Sequence, residues 1–243
     1  MNNPIPEKAK TELAPGGKLR VGVNLGNFLL VNKDPATGEM RGVVPDLAQE
    51  LANRLGATVE LIGYPGAGQV ADAAVTGAWD VGFIGAEPQR AAVIEFTLAY
   101  VEIPATYLVP AGSAIRTLED VDQPGIRIAT SARSAYDLYL SRSLKHATLV
   151  RAEGLPASYD LFVKEKLDAL SGLLPRLTAD VARLPGARIL EGRFTAIQQA
   201  IGTPKARTAA AAYLREFVAD IKSSGLVASL IAKHGVKGIS VAP

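Results

Sequence analysis

Residues 79–100 hold the densest group of side chains suited to chemistry. Trp79 and Asp80 lead into the apolar run Val81 to Ile84, then Gly85 and Ala86, then Glu87–Pro88–Gln89–Arg90. The run reads as a strand, and the residues after the Gly–Ala turn read as the start of a helix. Pro88 suits a first helical turn, where its missing N–H would have no partner anyway. Such a start aims amide N–H groups and the positive dipole end at whatever lies beyond the strand. Arg90 adds a permanently charged fork that matches a carboxylate. The chemistry on offer is anion binding. An ordinary strand–turn–helix with Arg90 facing solvent, or paired with Glu87 or Glu95, uses the same residues, and spacing alone leaves both readings open.

Alternating strands and helices must position these groups. Leu19–Asn24 reads as a strand, and Pro45–Leu55 as a helix with Leu47, Ala48, Leu51, Ala52 and Leu55 on one face and Gly56 at its end. Val59–Ile62 and Val81–Ile84 are strands around a short helix at Gln69–Thr76. The second half repeats the rhythm: a Pro124–Gly125 turn, a strand at Ile126–Ala129, and a helix opened by Ser134. Strands at Thr148–Val150 and Asp168–Leu170 flank a helix at Ser158–Glu165, and Pro175 begins another. Thr203–Pro204 reads as the cap of a long helix carrying Leu214, Phe217 and Ile221. The alternation predicts parallel or mixed sheets covered by helices. Ligands in such sheets sit beyond the carboxyl ends of the strands, which points to Gly85–Arg90 and to Ser131–Ser134. The Gly-rich stretch Gly63–Gly68 lacks the Gly–Lys–Ser/Thr ending of a phosphate loop and reads as a tight turn.

Composition narrows the function classes. The chain of 243 residues is 48% hydrophobic, with 26 basic and 24 acidic groups and a formal net charge of +2. That balance leaves no electrostatic footprint for nucleic acid or an anionic membrane. There is no cysteine, hence no disulfide scaffold, thiol nucleophile or Cys-ligated metal. The two histidines, His146 and His234, each follow a lysine and read as exposed helix-end residues, so a metal site or a Ser–His–Asp triad is poorly supplied. No cofactor is expected. No apolar run approaches the roughly 20 residues of a membrane span, and no signal peptide opens the chain. Residues 1–17 read as a flexible N-terminal lead.

A set of short motifs recurs in order: Gly42–Val43–Val44–Pro45–Asp46–Leu47–Ala48, Thr76–Gly77–Ala78–Trp79–Asp80, Pro88–Gln89–Arg90, Phe96–Thr97–Leu98–Ala99–Tyr100, and Gly–Ile–Arg–Ile–Ala–Thr at 125–130. From about Leu19 to His234 this set resembles solute-binding proteins of family three, the type II periplasmic receptors of amino-acid and small-acid ABC transporters. The resemblance implies an α/β fold of two lobes joined by a two-segment hinge, with the ligand cleft between them. Lobe 1 would comprise 18–102 and 199–243, lobe 2 would comprise 103–198, and Tyr100–Tyr107 and Thr195–Ile201 would be the crossings. It implies a bacterial, periplasmic, monomeric binding protein without enzymatic activity. Its partners would be a small carboxylate ligand and a membrane permease.

Carried over by motif position, Arg90 matches the family arginine that pairs with the ligand carboxylate. Asn24 falls at a polar position ending the first strand, and Asn27–Phe28 where an aromatic usually covers the ligand. Phe28 equally suits the core. Ser131, Arg133 and Ser134 occupy the second-lobe turn that meets the same carboxylate, with Ser134 also a candidate helix cap. Of Gln198 and Gln199, on the return crossing, only one can face the cleft. Gly85 belongs to the turn after the strand, and Tyr64 lies close to a second aromatic position that itself falls on Ala67 or Gly68. The departures are informative. Leu173 stands where receptors of α-amino acids supply an aspartate for the ammonium, and Glu87 where a hydroxyl residue is usual. If Glu87 takes the ammonium, the ligand is an amino acid. If Glu87 is a helix cap or a partner of Arg90, then Arg90 and Arg133 favour an amine-free organic or aromatic acid. Relatives on this fold similar to cyclohexadienyl dehydratases, and effector-sensing lobes of regulators, supply the alternative functions.

Overall fold

The computed structural model describes residues 4–243. In chain order its elements are α1 (Glu7–Leu13), β1 (Lys18–Asn24), β2 (Asn32–Lys33), β3 (Met40–Arg41), α2 (Val43–Leu55), β4 (Thr58–Tyr64), α3 (Ala67–Val75), β5 (Val81–Gly85) and β6 (Ile94–Val109). They continue with β7 (Arg127–Ser131), α4 (Ala135–Ser143), β8 (Thr148–Ala152), α5 (Leu155–Lys164), β9 (Ala169–Leu173), α6 (Leu174–Val181), β10 (Arg188–Ile189), β11 (Thr195–Pro204), α7 (Thr208–Ser223), α8 (Leu226–Lys233) and β12 (Ser240–Val241). The chain divides into two compact units. Unit 1 runs to Val101 and resumes at Gln198, and unit 2 is Glu102–Ile197.

In unit 1, β1 lies between β4 and β5, parallel to both, and β11 runs antiparallel to β5. Leu19, Val21 and Val23 of β1 are fully buried. Gly22 is dictated by Trp79, whose Cδ1 lies 2.7 Å from where a Cβ would stand. The Trp79 indole Nε1 donates to the Val70 carbonyl at 2.9 Å and so ties α3 to the sheet. Helix α2 buries Leu47, Ala48, Leu51, Ala52 and Leu55, and Gly56 ends it in the left-handed conformation at φ 67°.

Unit 2 repeats the plan. β7 is parallel to β8 and β9, and β6 runs antiparallel to β9. Alternate residues of these strands feed two cores. Tyr107, Ile128 and Ala169 enter one, and Leu108, Ala129 and Leu170 the other. Strands buried on both faces read as continuous apolar runs, which is how they stand in the sequence.

Two expectations are corrected. Glu7–Leu13 is a helix, not a flexible lead: Ala9 and Leu13, four residues apart, share a buried face. Its Glu12 carboxylate accepts the Ala210 amide at 2.8 Å, at the start of α7. The part of that expectation on residues 1–3 lies outside the described residues. Thr203–Pro204 does not cap a helix but ends β11, because a residue before proline is driven toward extended backbone. The Thr203 hydroxyl donates to the Asp80 carbonyl at 3.0 Å.

Asp80 itself has 0% exposure. Its Oδ2 accepts the Arg20 amide and Nε, both at 3.0 Å, and its Oδ1 accepts Arg20 Nη2 at 2.7 Å and Arg207 Nη1 at 2.6 Å. The same Arg207 nitrogen donates to the Glu12 carbonyl at 2.7 Å. One carboxylate therefore links β1, β5 and the approach to α7, with α1 attached through Arg207. Replacing Asp80 by Ala strands two arginines and should cost about 3 kcal/mol. In a chain of this size that lowers the melting temperature by roughly 6–12 °C, measurable by calorimetry.

Candidate functional site

The carboxyl edge of the unit 1 sheet gathers several of the expected residues. Asn24, the last residue of β1, pairs with Tyr64, the last of β4. Val23 pairs with Phe83, which brings the end of β5 alongside. Gln199 stands opposite Gly85, and the Ala86 amide donates to the Gln198 carbonyl at 2.8 Å. Gln199 is buried and Gln198 partly so.

Arg90 lies at this edge with 4% exposure, and its Nη1 donates to the Gly85 carbonyl at 2.7 Å. The end of β5 thus holds the guanidinium in place. Glu95 is not its partner, since that carboxylate pairs with Arg215 at 3.4 Å. The segment from Glu87 is not an α-helix. The Arg90 and Ala91 amides donate to the Glu87 carbonyl at 2.9 and 3.0 Å, and Arg90–Ala92 forms a single 3-10 turn before β6 begins at Ile94. The β-branched pair Val93–Ile94 favours the strand and leaves no room for a helix. The dipole contribution expected from a helix start is therefore absent, and the anion chemistry of this edge rests on Arg90 alone. Glu87 is buried, engaged, and caps no helix.

The loop after β1 places its residues differently. The Asn24 Oδ1 accepts the Gly26 amide at 3.0 Å and closes the turn. Asn27 is 6% exposed, and its Oδ1 has no hydrogen-bond partner among the described residues. Phe28 is 37% exposed, so it is not a core residue. It lines a surface pocket of about 390 Å³ with Leu29, Arg41, Gly42, His234 and Lys237, which neither Arg90 nor Gly85 lines. His234 does end a helix, as its sequence setting suggested, but it is partly buried rather than exposed, and its Nε2 lies 2.8 Å from Asp46 Oδ2. Lys233 Nζ donates to the same oxygen at 2.8 Å. Burial works against the Asp46 carboxylate, but the bonds from Lys233 and His234 outweigh it and hold the group below its ordinary value.

The carboxyl edge of unit 2 is built from the ends of β7 and β9. Ser131 ends β7, and the register Ala129↔Leu170 carries Gly172 and Leu173 alongside it. Ser134 caps α4, its Oγ accepting the Asp137 amide at 3.1 Å. Arg133 is exposed in the left-handed region at φ 57°, and its amide donates to Asp137 Oδ2 at 2.8 Å. The other Asp137 oxygen accepts Arg151 Nε at 2.9 Å.

Two residues here escaped the sequence reading. Tyr136, in the first turn of α4, is 3% exposed, with the Ser134 and Ser131 hydroxyls beside its own. Burial pushes its phenol up to about 12, against the lowering influence of the Ser134 and Ser131 hydroxyls and the Arg176 charge, so it stays protonated at neutral pH. Arg176, in the first turn of α6, donates through Nε to Asp180 Oδ2 at 2.8 Å. A signal for Arg176 was present: Pro175–Arg176 follows β9 much as Pro88–Gln89–Arg90 follows β5. Tyr136 gave none, because a tyrosine in a helical first turn reads as packing.

Among the described residues no group of three or more His, Asp or Glu could hold a metal ion, and no helix is long and apolar enough to cross a membrane.

Residues 19–237 match the sequence model of the bacterial extracellular solute-binding proteins, family 3. No curated protein sequence matches the chain. Among solved structures, a mutant of ArgBP from T. maritima is 23% identical with a TM-score of 0.76, covering 93% of this chain and 99% of that one. A putative binding component of an ABC transporter from Wolinella succinogenes, complexed with lysine, is 22% identical with a TM-score of 0.76, covering 91% and 97%. An ancestral amino acid-binding protein, described as a precursor of cyclohexadienyl dehydratase, is 22% identical with a TM-score of 0.75, covering 93% and 98%. These likenesses establish the fold as the α/β periplasmic-binding-protein type.

The Asp46 pairing carries a signed pH dependence. A carboxylate depressed in the folded state adds stability above its unfolded pKa, near 3.8, and loses it as the pH falls through the folded value. Asp46→Asn should therefore melt below the parent at pH 7, and thermal scans should show that gap closing as the pH falls below about 4.

Proposed function

The chain belongs to the bacterial extracellular solute-binding proteins, family 3, and from that premise we propose that it is the extracytoplasmic receptor of an ABC transporter. In this reading it captures a small carboxylate ligand in the periplasm and delivers it to a membrane permease, performing no chemistry itself. The observation that carries the reading is the placement of Arg90. A permanently charged fork is buried at the carboxyl edge of the unit 1 sheet and oriented by the Gly85 carbonyl at 2.7 Å. Planar bidentate recognition of a carboxylate is what a fixed guanidinium does best.

Unit 2 supports the same ligand chemistry from its own edge. The Ala135 and Tyr136 amides open a nine-residue helix, where the first-turn N–H groups lack helical acceptors. Ser131 and Ser134 add hydroxyls beside them. Neither edge requires a metal or a redox group to hold an anion. Relatives described as bound to arginine or lysine make amino acids one class to test, and the departures at Glu87 and Leu173 make amine-free acids the other.

A thermal-shift panel of amino acids, oxo acids and aromatic and aliphatic carboxylates, run on the parent and on Arg90→Ala, tests this reading. A ligand that binds only the folded protein raises the melting temperature by mass action. The parent should respond to at least one carboxylate, and Arg90→Ala should weaken that response by about 10- to 100-fold in affinity, the worth of a hydrogen bond to a charged group. Arg90→Lys, which keeps the charge and loses the fork, should also bind more weakly. Unchanged carboxylate affinity in a folded Arg90→Ala protein would remove the basis of the assignment.

A further inference from the structure

Unit 1 carries a second recess whose chemistry the receptor reading does not use. The pocket of about 390 Å³ beside Phe28 is lined by neither Arg90 nor Gly85, and its walls come from two distant stretches of the chain. One wall is the loop after β1 with the β2–β3 ribbon. The Leu30 and Val31 amides donate to the Asn27 carbonyl at 3.0 and 3.1 Å, and Asn32 Nδ2 donates to the Phe28 carbonyl at 3.0 Å. Arg41 stands opposite Asn32 across the ribbon. The other wall is the turn that ends α8. There the Gly235 amide donates to the Ala232 carbonyl at 3.0 Å, and the Val236 amide to the Ile231 carbonyl at 3.1 Å. Gly42 lines the recess too, at a φ of 139° that side-chain-bearing residues rarely adopt, and a Cβ there would run into the Leu30 carbonyl. Both walls are thus fixed by backbone bonds, and the volume falls within the range of about 300–1,000 Å³ that suits small molecules.

The lining combines an apolar body with positive charge. Phe28, Leu29 and Val236 supply the apolar surface, Arg41 and Lys237 the charge, and no Asp or Glu lines the pocket. Phe28 is 37% exposed, and no other aromatic ring among the described residues is as exposed. An aromatic ring held open beside a cation is suited to another ring that carries an anion. The acids nearby are already committed. Glu39 accepts from Arg41 Nη2 at 2.6 Å, and Asp46 is engaged by Lys233 and His234, both at 2.8 Å. Lys237 differs from these, because among the described residues its exposed ammonium has neither a hydrogen bond nor an ion pair. A cationic ligand would meet Arg41 and Lys237 with no carboxylate to receive it, whereas an anion meets an unpaired positive charge.

We propose that this pocket is a second ligand site of unit 1, which takes a small aromatic carboxylate with its ring against Phe28 and its acid group at Lys237 and Arg41. The site stands independently of the receptor reading, since Arg90 has no part in it. Phe28 selects the aromatic body, and Lys237 selects the charge.

An NMR titration of the full chain with benzoate, cyclohexanecarboxylate and benzamide tests it. Benzoate should move the Leu29, Gly235 and Lys237 amides together and to saturation. Cyclohexanecarboxylate keeps the charge and loses the aromatic face, and should bind there about 2- to 10-fold more weakly, the worth of an aromatic pair. Benzamide keeps the ring without the charge, and should also bind more weakly than benzoate. Lys237→Glu, at an exposed position, sets like charges together and should weaken benzoate at these amides at least about tenfold without changing the melting temperature. Phe28→Leu should erase the preference for benzoate over cyclohexanecarboxylate. Arg90→Ala should leave the benzoate shifts at the pocket amides in place, which separates this site from the receptor site. No saturable shift at the pocket amides, or shifts confined to Gly85 and Ala86, would overturn the proposal and leave the receptor reading standing. So would benzamide binding as tightly as benzoate, or a Lys237→Glu protein with its benzoate affinity intact.

Discussion

A single buried carboxylate organises unit 1. Asp80 has no contact with solvent, and its two oxygens are filled by Arg20, 60 residues earlier, and Arg207, 127 residues later. A charge taken fully out of water is tolerated only when its lone pairs are met, so these distant segments are not free to drift. The Asp80 and Arg20 backbones are joined as well, through Asp80 N–H and the Arg20 carbonyl at 2.9 Å. With the entry to β5 fixed in this way, its other end delivers Gly85 to a set position, and Gly85 in turn orients Arg90. The Arg90 guanidinium inherits its geometry from an ion cluster at the opposite end of β5.

Burying Asp80 also explains why small residues stand where they do. Trp79 precedes it and packs across the sheet, which leaves no space for a side chain at Gly22 and little at Gly82. In unit 2 the register is set by apolar alternation instead, with neighbouring residues of β6, β7 and β9 entering opposite cores. Both solutions give parallel strands ending together at one carboxyl edge. A sheet of this kind concentrates polar turn residues at that edge because the strands themselves have no room for them.

The fold was legible because its signals are repeated and local. Helix α2 announced itself by five apolar residues on one face and a terminating glycine, and the strands by short apolar runs between turns. The family was legible through the order of motifs between Gly42 and Thr130. What misled was local chemistry judged without its continuation. Pro88 and Arg90 suit a helix, but Val93 and Ile94 pull the chain into β6 one turn later. Thr203–Pro204 resembles a cap, yet the strand pairing of β11 with β5 extends the backbone there. At the N-terminus, proline and glycine content concealed a two-residue apolar face, Ala9 and Leu13. In the candidate site, Arg90 and Ser134 carry their chemistry in their residue types.

The central claim is that the Arg90 guanidinium holds the ligand carboxylate at the end of β5. An NMR titration that follows the Arg90 side-chain Nε–H together with the Gly85 and Ala86 amides, as a carboxylate identified by screening is added, reads that contact atom by atom. The account predicts a saturable shift of the Arg90 Nε–H, moving with the same affinity as the bulk binding isotherm. A ligand that saturates the protein while the Arg90 Nε–H resonance stays in place would contradict it.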